Sequence, residues 1–219
     1  MKVGAVTGLA AEASVARRAG IAAQASGGLA AQTTAVAESL LSEGAEALIS
    51  FGIAGALAPA LTPGRLLVPR AVIDETGTRY AVDAEWRMRI TDALRHAGSQ
   101  IDEGDLLGAR AAAASPARKA ELYRITGAVA IDLESHLVAQ AAARAARPFL
   151  VLRAVSDSAT QALPNAAIHG LAPNGKPALG RVLLSIVRDP RQIPALIKLA
   201  GDTRRALDAL GLALRAVSL

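Results

Sequence analysis

Two acid-bearing segments have the residue types and spacing to do chemistry. The first is Ala130-Ile131-Asp132-Leu133-Glu134-Ser135-His136, and the second is Arg153-Ala154-Val155-Ser156-Asp157. Each places a carboxylate where a buried hydrophobic strand gives way to polar chain. Phe149-Leu150-Val151-Leu152 reads as a fully buried strand that delivers Asp157 at its end. Val129 to Ile131 reads as another, delivering Asp132 and Glu134. In an open parallel α/β sheet, ligands bind beyond the carboxyl ends of the strands. Two such ends in succession predict one carboxylate-lined pocket and acid/base chemistry on a polyol or a nucleobase.

Three further segments are candidates. Ser50-Phe51-Gly52-Ile53-Ala54-Gly55-Ala56 reads as a strand closed by a small-residue loop. Backbone N–H groups in such a turn can approach an anion or a ribose without interference from Cβ atoms. The segment matches neither G-x-G-x-x-G nor a phosphate-binding P-loop. Ser26-Gly27-Gly28 is a second small-residue turn ahead of a helix. Glu12 follows the first strand, in Gly8-Leu9-Ala10-Ala11-Glu12. Taken alone, a Glu at that place reads as a solvated helix-start residue favoured by the helix dipole.

The elements that must position these groups alternate. Strands are expected at 2–7, 46–52, 65–69, 128–132 and 149–155, with helices at 30–42, from Ser115-Pro116 towards Gly127, and from Glu134 to about Ala146. Ser at the N-cap with Pro in the first turn is a strong helix start. Residues 163–177, with three prolines and two glycines, read as a loop. Two helices should follow, broken at Asp189-Pro190 because proline excludes a continuing helix. This order predicts one α/β domain over residues 1–219. It has a mixed, mostly parallel sheet flanked by helices and a helical tail at 180–219.

Composition excludes several classes. The chain has 219 residues, enough for a sizeable core, and no cysteine, hence no disulfide, thiolate metal site or cysteine nucleophile. His96, His136 and His169 lack metal-ligand spacing. Only Phe51, Tyr80, Trp86, Tyr123 and Phe149 are aromatic, too few for stacking on single-stranded nucleic acid. The +5 charge concentrates in the last forty residues, where seven basic residues face three acids. That tail is expected to be a solvated face, or a basic amphipathic surface that meets anionic lipid or nucleic acid. The start of the chain lacks a signal peptide's layout and no apolar run reaches membrane-spanning length, so a cytoplasmic protein is expected.

Taken together, these segments resemble the purine nucleoside phosphorylase and nucleosidase superfamily over residues 1 to 160. Gly8 to Glu12 looks like the family's first strand and acidic residue. Ser26-Gly27-Gly28 resembles its Ser-Gly turn, and Ser50 to Leu57 its ribose- and nucleophile-contacting strand and glycine-rich loop. Ala130 to Ser135 is similar to the family's Val-Asp/Glu-Met-Glu-Ser/Gly motif, with Leu133 in the methionine's place. Arg153 to Asp157 resembles Arg-Ala-Ile-Ser-Asp. The stretches 157–164, 171–177 and 189–194 resemble the hopanoid-associated phosphorylase branch, implicated in releasing adenine from adenosylhopane, a lipid nucleoside.

The resemblance implies roles. Asp157 would protonate purine N7, oriented by Ser156, with Asp132 in the same base region. A free aspartic acid titrates near ~3.9, so holding a proton there would need burial or a neighbouring negative charge. Glu134 would accept hydrogen bonds from the ribose hydroxyls, and Leu133 would pack on the sugar. Ser50, Gly52, Ile53, Ala54 and Gly55 would face the nucleophile, which is phosphate or water; no other cofactor and no metal is implied. Glu12 is the residue that activates water in the hydrolytic branch. The family's purine-stacking phenylalanine would fall in Arg110 to Ala114, where no aromatic stands. The implied partner is a small purine nucleoside, lipid-linked in the hopanoid branch, with no nucleic acid, a peripheral membrane contact and a homo-oligomer. A general 5′-methylthioadenosine/S-adenosylhomocysteine-type nucleosidase and a non-catalytic nucleoside-binding domain remain as alternatives.

Overall fold

The computed structural model describes residues 1–169, 172, 174–176 and 178–217. The first half runs β1 (Val3–Thr7), α1 (Ala10–Arg18), β2 (Ala22–Ala25), α2 (Ala30–Ser42), β3 (Ala47–Ala56), β4 (Leu66–Leu67), β5 (Ala71–Asp74), β6 (Arg79–Ala81) and α3 (Ala84–His96). The second half runs β7 (Ile101–Asp102), β8 (Leu106–Gly108), α4 (Pro116–Thr126), β9 (Ala130–Asp132), α5 (Ser135–Arg144), β10 (Phe149–Asp157), α6 (Asn165–His169), α7 (Leu179–Arg188) and α8 (Ile193–Ala216).

The strands form one mixed sheet, ordered β6-β5-β8-β9-β3-β10-β4-β7, with β1 and β2 attached beside β3. Six of its pairings are parallel and three antiparallel, so the mixed, mostly parallel sheet with flanking and C-terminal helices is confirmed. The long strand β3 organises it. Along one edge β3 pairs with β10 from Leu48 to Gly55. Along the other edge β1 occupies Ala47 to Ser50 and β9 occupies Gly55 and Ala56. Between them, Phe51 to Ala54 have no strand partner on that edge. That gap is where a ligand can reach the middle of the sheet.

The core is aliphatic. Leu48, Ile49 and Phe51 of β3 and Leu150, Val151 and Leu152 of β10 are fully buried, as continuous apolar runs in a sheet covered on both faces must be. Helix α4 starts as the sequence predicts: Ser115 Oγ accepts from Arg118 N at 3.2 Å, Pro116 opens the first turn, and Gly127 closes the helix at φ 68°.

Two expectations are corrected. Residues 52–55 are not a loop; β3 continues through them to Ala56, because β10 supplies partners as far as Gly55 and β9 pairs with Gly55 and Ala56. Residues 163–177 are not wholly a loop, since Asn165–His169 form a short helix after Pro164. Gly170, Leu171, Pro173 and Pro177 of that stretch lie outside the described residues. Among the described residues, no helix is long and apolar enough to cross a membrane.

Candidate active site

The gap in the β3 edge is filled by carboxyl groups from three elements. Glu12 sits in the first turn of α1. Its Oε2 accepts Leu9 N at 2.7 Å, closing the helix start as in a capping box, and its Oε1 reaches across to Ile53 N at 2.8 Å. Asp132 ends β9, and Glu134 caps the start of α5. Under all three lies Arg153, a fully buried arginine in β10. Its Nη2 is 2.6 Å from Asp132 Oδ2, 3.1 Å from Glu134 Oε2 and 2.7 Å from Ser50 Oγ. Ser135 joins Ser50 at 2.9 Å and also bonds Asp132. Glu12 is therefore no solvated helix-start residue; it is 1% exposed.

Two glycines are sterically required. A Cβ on Gly8 would stand 2.5 Å from Glu134 Oε1. A Cβ on Gly52, whose φ is 153°, would stand 2.5 Å from the Glu12 carboxyl and 2.6 Å from Arg153 Nη1. Backbone and carboxylate approach closely only where no side chain intervenes.

The opposite end of the cavity is built differently. The β3–β10 register shifts between Val155 and Asp157, a bulge that leaves Ser156 unpaired. In a regular strand successive side chains face opposite ways; a bulge re-aims one of them. Both Ser156 and Asp157 consequently line the cavity, with Ser156 Oγ donating to Asp157 Oδ1 at 2.7 Å. Asp157 Oδ2 takes an ion pair from Lys119 of α4. Lys119 Nζ also donates to Ser158 O at 2.8 Å and Gln161 O at 2.9 Å. The neighbour expected for an acid that holds its proton was negative; the one present is a lysine.

The cavity encloses about 190 Å³. Of the residues expected there, Glu12, Ile53, Ala54, Gly55, Asp132, Leu133, Glu134, Ser156 and Asp157 line it, while Ser50 and Gly52 stand behind it. Gly8, Leu9, Gly28, Ala112, Ala113, Ile131 and Leu163 supply the rest of the apolar wall, so no aromatic takes part among the described lining residues. Lys119 also lines it and was not anticipated; the signal available was a single lysine one turn into a helix with a strong start. A wider groove of about 990 Å³ runs between α1 and α8, but its only carboxylate is Asp208. The convergent acids are all in the smaller cavity. Among the described residues no group of three or more His, Asp and Glu is placed to hold a metal ion.

Charge at the acidic end is unbalanced, with three carboxyl groups around one guanidinium. Burial pushes the Glu134 carboxyl up to about 7, opposed by Arg153 and reinforced by Asp132 and Glu12. Burial also raises Glu12, against the pull of Arg153 and of the backbone N–H groups it accepts. Desolvation disfavours the ionised form of a carboxyl, and a like charge adds to it.

The family model of the Phosphorylase superfamily matches residues 24–188, and the chain belongs to that superfamily. No curated protein matches it by sequence. Solved structures do match in fold. The 5′-methylthioadenosine/S-adenosylhomocysteine nucleosidase of Helicobacter pylori superposes with a TM-score of 0.72 at 16% identity, over 99% of both chains. Futalosine hydrolase of the same organism gives 0.70 at 15%, over 99% of this chain and 98% of its own. S-adenosylhomocysteine nucleosidase of Streptococcus pyogenes gives 0.72 at 18%, over 100% and 98%.

Proposed function

We propose that the cavity binds a purine nucleoside and cleaves its N-ribosyl bond with water. The observation that carries this reading is Glu12: a buried carboxyl, fixed through both oxygens by backbone N–H groups, at the cavity wall beside Glu134. Breaking the bond develops positive charge on the sugar and negative charge on the base. Carboxylates at the ribose end stabilise the first, and a proton from Asp157 to purine N7 relieves the second. Glu134 holds Arg153 through Oε2, while Oε1 lies 3.6 Å from where a Cβ on Gly28 would stand, at the cavity wall, and accepts from the ribose hydroxyls. Leu133 packs against the sugar. Glu12 draws a proton from water as it attacks the anomeric carbon.

Electrostatics favours water over phosphate. A phosphate dianion at this end would meet three carboxyl groups, and the only described cation beside them, Arg153, is buried and already paired. The similar folds include nucleosidases and a hydrolase by name, in keeping with water as co-substrate.

For the 5′-substituent, we propose a long apolar group such as that of adenosylhopane. The motifs at 157–164 and 189–194 support it. So do Leu183, Leu184 and Val187, which are exposed on α7, the helix that follows α6 and the cavity residue Leu163. The enzyme is to be incubated with 5′-methylthioadenosine, S-adenosylhomocysteine and 5′-alkyl adenosines, with and without phosphate. Free adenine with a free ribose derivative, at a rate phosphate does not change, is the expected result. A ribose-1-phosphate product would overturn the role of Glu12. Faster turnover of the short 5′-substituents than of the long ones would overturn the lipid assignment alone.

A further inference from the structure

The cleavage reading leaves a buried charge in the cavity wall, Lys119, without a role. Lys119 is 0% exposed and is the one buried residue of α4, a helix otherwise held at the surface. Desolvating an ammonium is costly, and an apolar side chain of similar volume would pack there without that cost. We propose that Lys119 is the source of the proton that Asp157 delivers to the leaving base. This rests on the N-ribosyl reading of the cavity and deepens it.

The hydrogen bonds around Nζ carry the argument. An ammonium has three N–H donors and no acceptor. Here the three acceptors are Asp157 Oδ2, Ser158 O and Gln161 O. If the proton between Nζ and Oδ2 moves to the carboxylate, the amine keeps two N–H groups for the two carbonyls, and its lone pair accepts from the new carboxylic O–H. Every polar atom stays satisfied in both states, and the net charge of the pair is zero in both. The transfer therefore leaves no buried group unpaired, the usual penalty for moving a proton inside a protein. Ser156 Oγ bonds Oδ1 and fixes the plane of the carboxyl throughout.

In sequence, a proton leaves Lys119 Nζ for Asp157, making a carboxylic acid and a neutral amine. The bond from the anomeric carbon to the purine breaks, its electron pair goes to the base, and the acid gives its proton to N7. Asp157 is again a carboxylate, and Lys119 regains a proton from solvent after the base departs. Lys119 acts through Asp157 and is a positioning residue in that sense.

Arginine separates this from a purely structural role. A guanidinium keeps the positive charge and the ion pair but does not release a proton within a protein. Wild type, Lys119→Arg, Lys119→Met, Asp157→Asn and Lys119→Met with Asp157→Asn are compared on 5′-methylthioadenosine and on the preferred 5′-alkyl adenosine. Thermal melting is recorded for each. Lys119→Arg should melt close to wild type, keep KM within about 3-fold and lose roughly 100-fold or more in kcat, within the range of acid/base catalysis. The double variant leaves no buried charge unpaired, and it should be no slower than Asp157→Asn alone. Restoration of kcat by arginine to within about 3-fold of wild type would show that charge alone suffices and overturn the relay. If Lys119→Arg does not fold, the double variant decides: losses that multiply overturn the relay, and losses that do not multiply support it. Wild type that releases no base from any of these nucleosides would overturn the N-ribosyl reading and this inference with it. Wild-type turnover with an active Lys119→Arg overturns this inference alone.

Discussion

At one end of the cavity three carboxyl groups, Glu12, Asp132 and Glu134, share the single guanidinium of Arg153. At the other end one carboxyl, Asp157, meets one ammonium, Lys119. The acidic end has an excess of one sign and lowers its energy by taking up a proton or by meeting positive charge. The paired end is neutral and can move a proton without changing its charge. Under the proposed reading the two ends divide the work: the acidic end faces the cationic sugar and the water, and the paired end faces the base.

The largest expected effect breaks the acidic end's function. Glu12→Gln keeps the size of the side chain but cannot accept a proton from water. A loss of roughly 10²–10⁴-fold in kcat is expected in a base-release assay, with no recovery on adding phosphate. Unchanged turnover would remove Glu12 from the reaction.

At the paired end, stability should respond as well. Asp157→Asn strands the Lys119 ammonium in the interior, and breaking a buried pair from one side typically costs about 3–5 kcal/mol. Adding Lys119→Met should recover most of that in denaturant unfolding while activity stays low. A single variant as stable as wild type would contradict the burial of the pair.

Steric contact gives a smaller effect at the acidic end. Gly52→Ala drives a methyl into the Glu12 carboxyl and Arg153, and overpacking of this kind costs about 1–3 kcal/mol. It should also lower kcat, because Glu12 must shift. Equal activity and Tm would mean that the strand can move aside.

The finest distinction is in pH. Glu134 titrates near 7 in the folded chain, well above its ordinary value of 4.5, so between these limits the folded state holds more protons than the unfolded state. Stability from this group is fully present below about pH 4.5 and is lost as pH rises towards 7, by on the order of 1 kcal/mol per pH unit at most. Glu134→Gln should flatten that slope in urea unfolding between pH 5 and 7.5. An unchanged slope in Glu134→Gln would show that this group does not carry the excess charge of the acidic end.

Much of this was legible in the sequence, for identifiable reasons. The buried runs at 47–51 and 149–152 announce central strands because both sheet faces are covered, and Ser115-Pro116 announces a helix because its N-cap chemistry is local. The continuation of β3 through Gly52 to Ala56 was not legible: small residues read as a turn, and it is β10, a hundred residues away, with β9 at Gly55 and Ala56, that makes them a strand. Taken without the resemblance, Glu12 read as solvated for the same reason, since its partner Ile53 N is distant in sequence. The helix at 84–96 could have been read, with Trp86, Ile90 and Leu94 at four-residue spacing behind an Asp83 cap. The basic tail is partly neutralised in ways the count conceals, because Lys198 and Arg205 both bond the buried Asp202. Lys119 was the least legible of all, since nothing local distinguishes a lysine that will be swallowed from one that will be solvated.

The pairing of β3 with β10 also sets a timetable. Leu48 meets Phe149 and Ser50 meets Arg153, so the acidic end gains its only described counter-charge about a hundred residues after β3 is made. Before Arg153 emerges from a ribosome, Glu12, Asp132 and Glu134 lack the guanidinium that pairs with them in the folded chain, and closing the gap around them is unfavourable. Contacts this far apart in sequence form slowly, because loop closure must precede the gain. The chain should thus remain open and protease-sensitive around its first fifty residues during synthesis, and acquire the site in a single late step when β10 inserts.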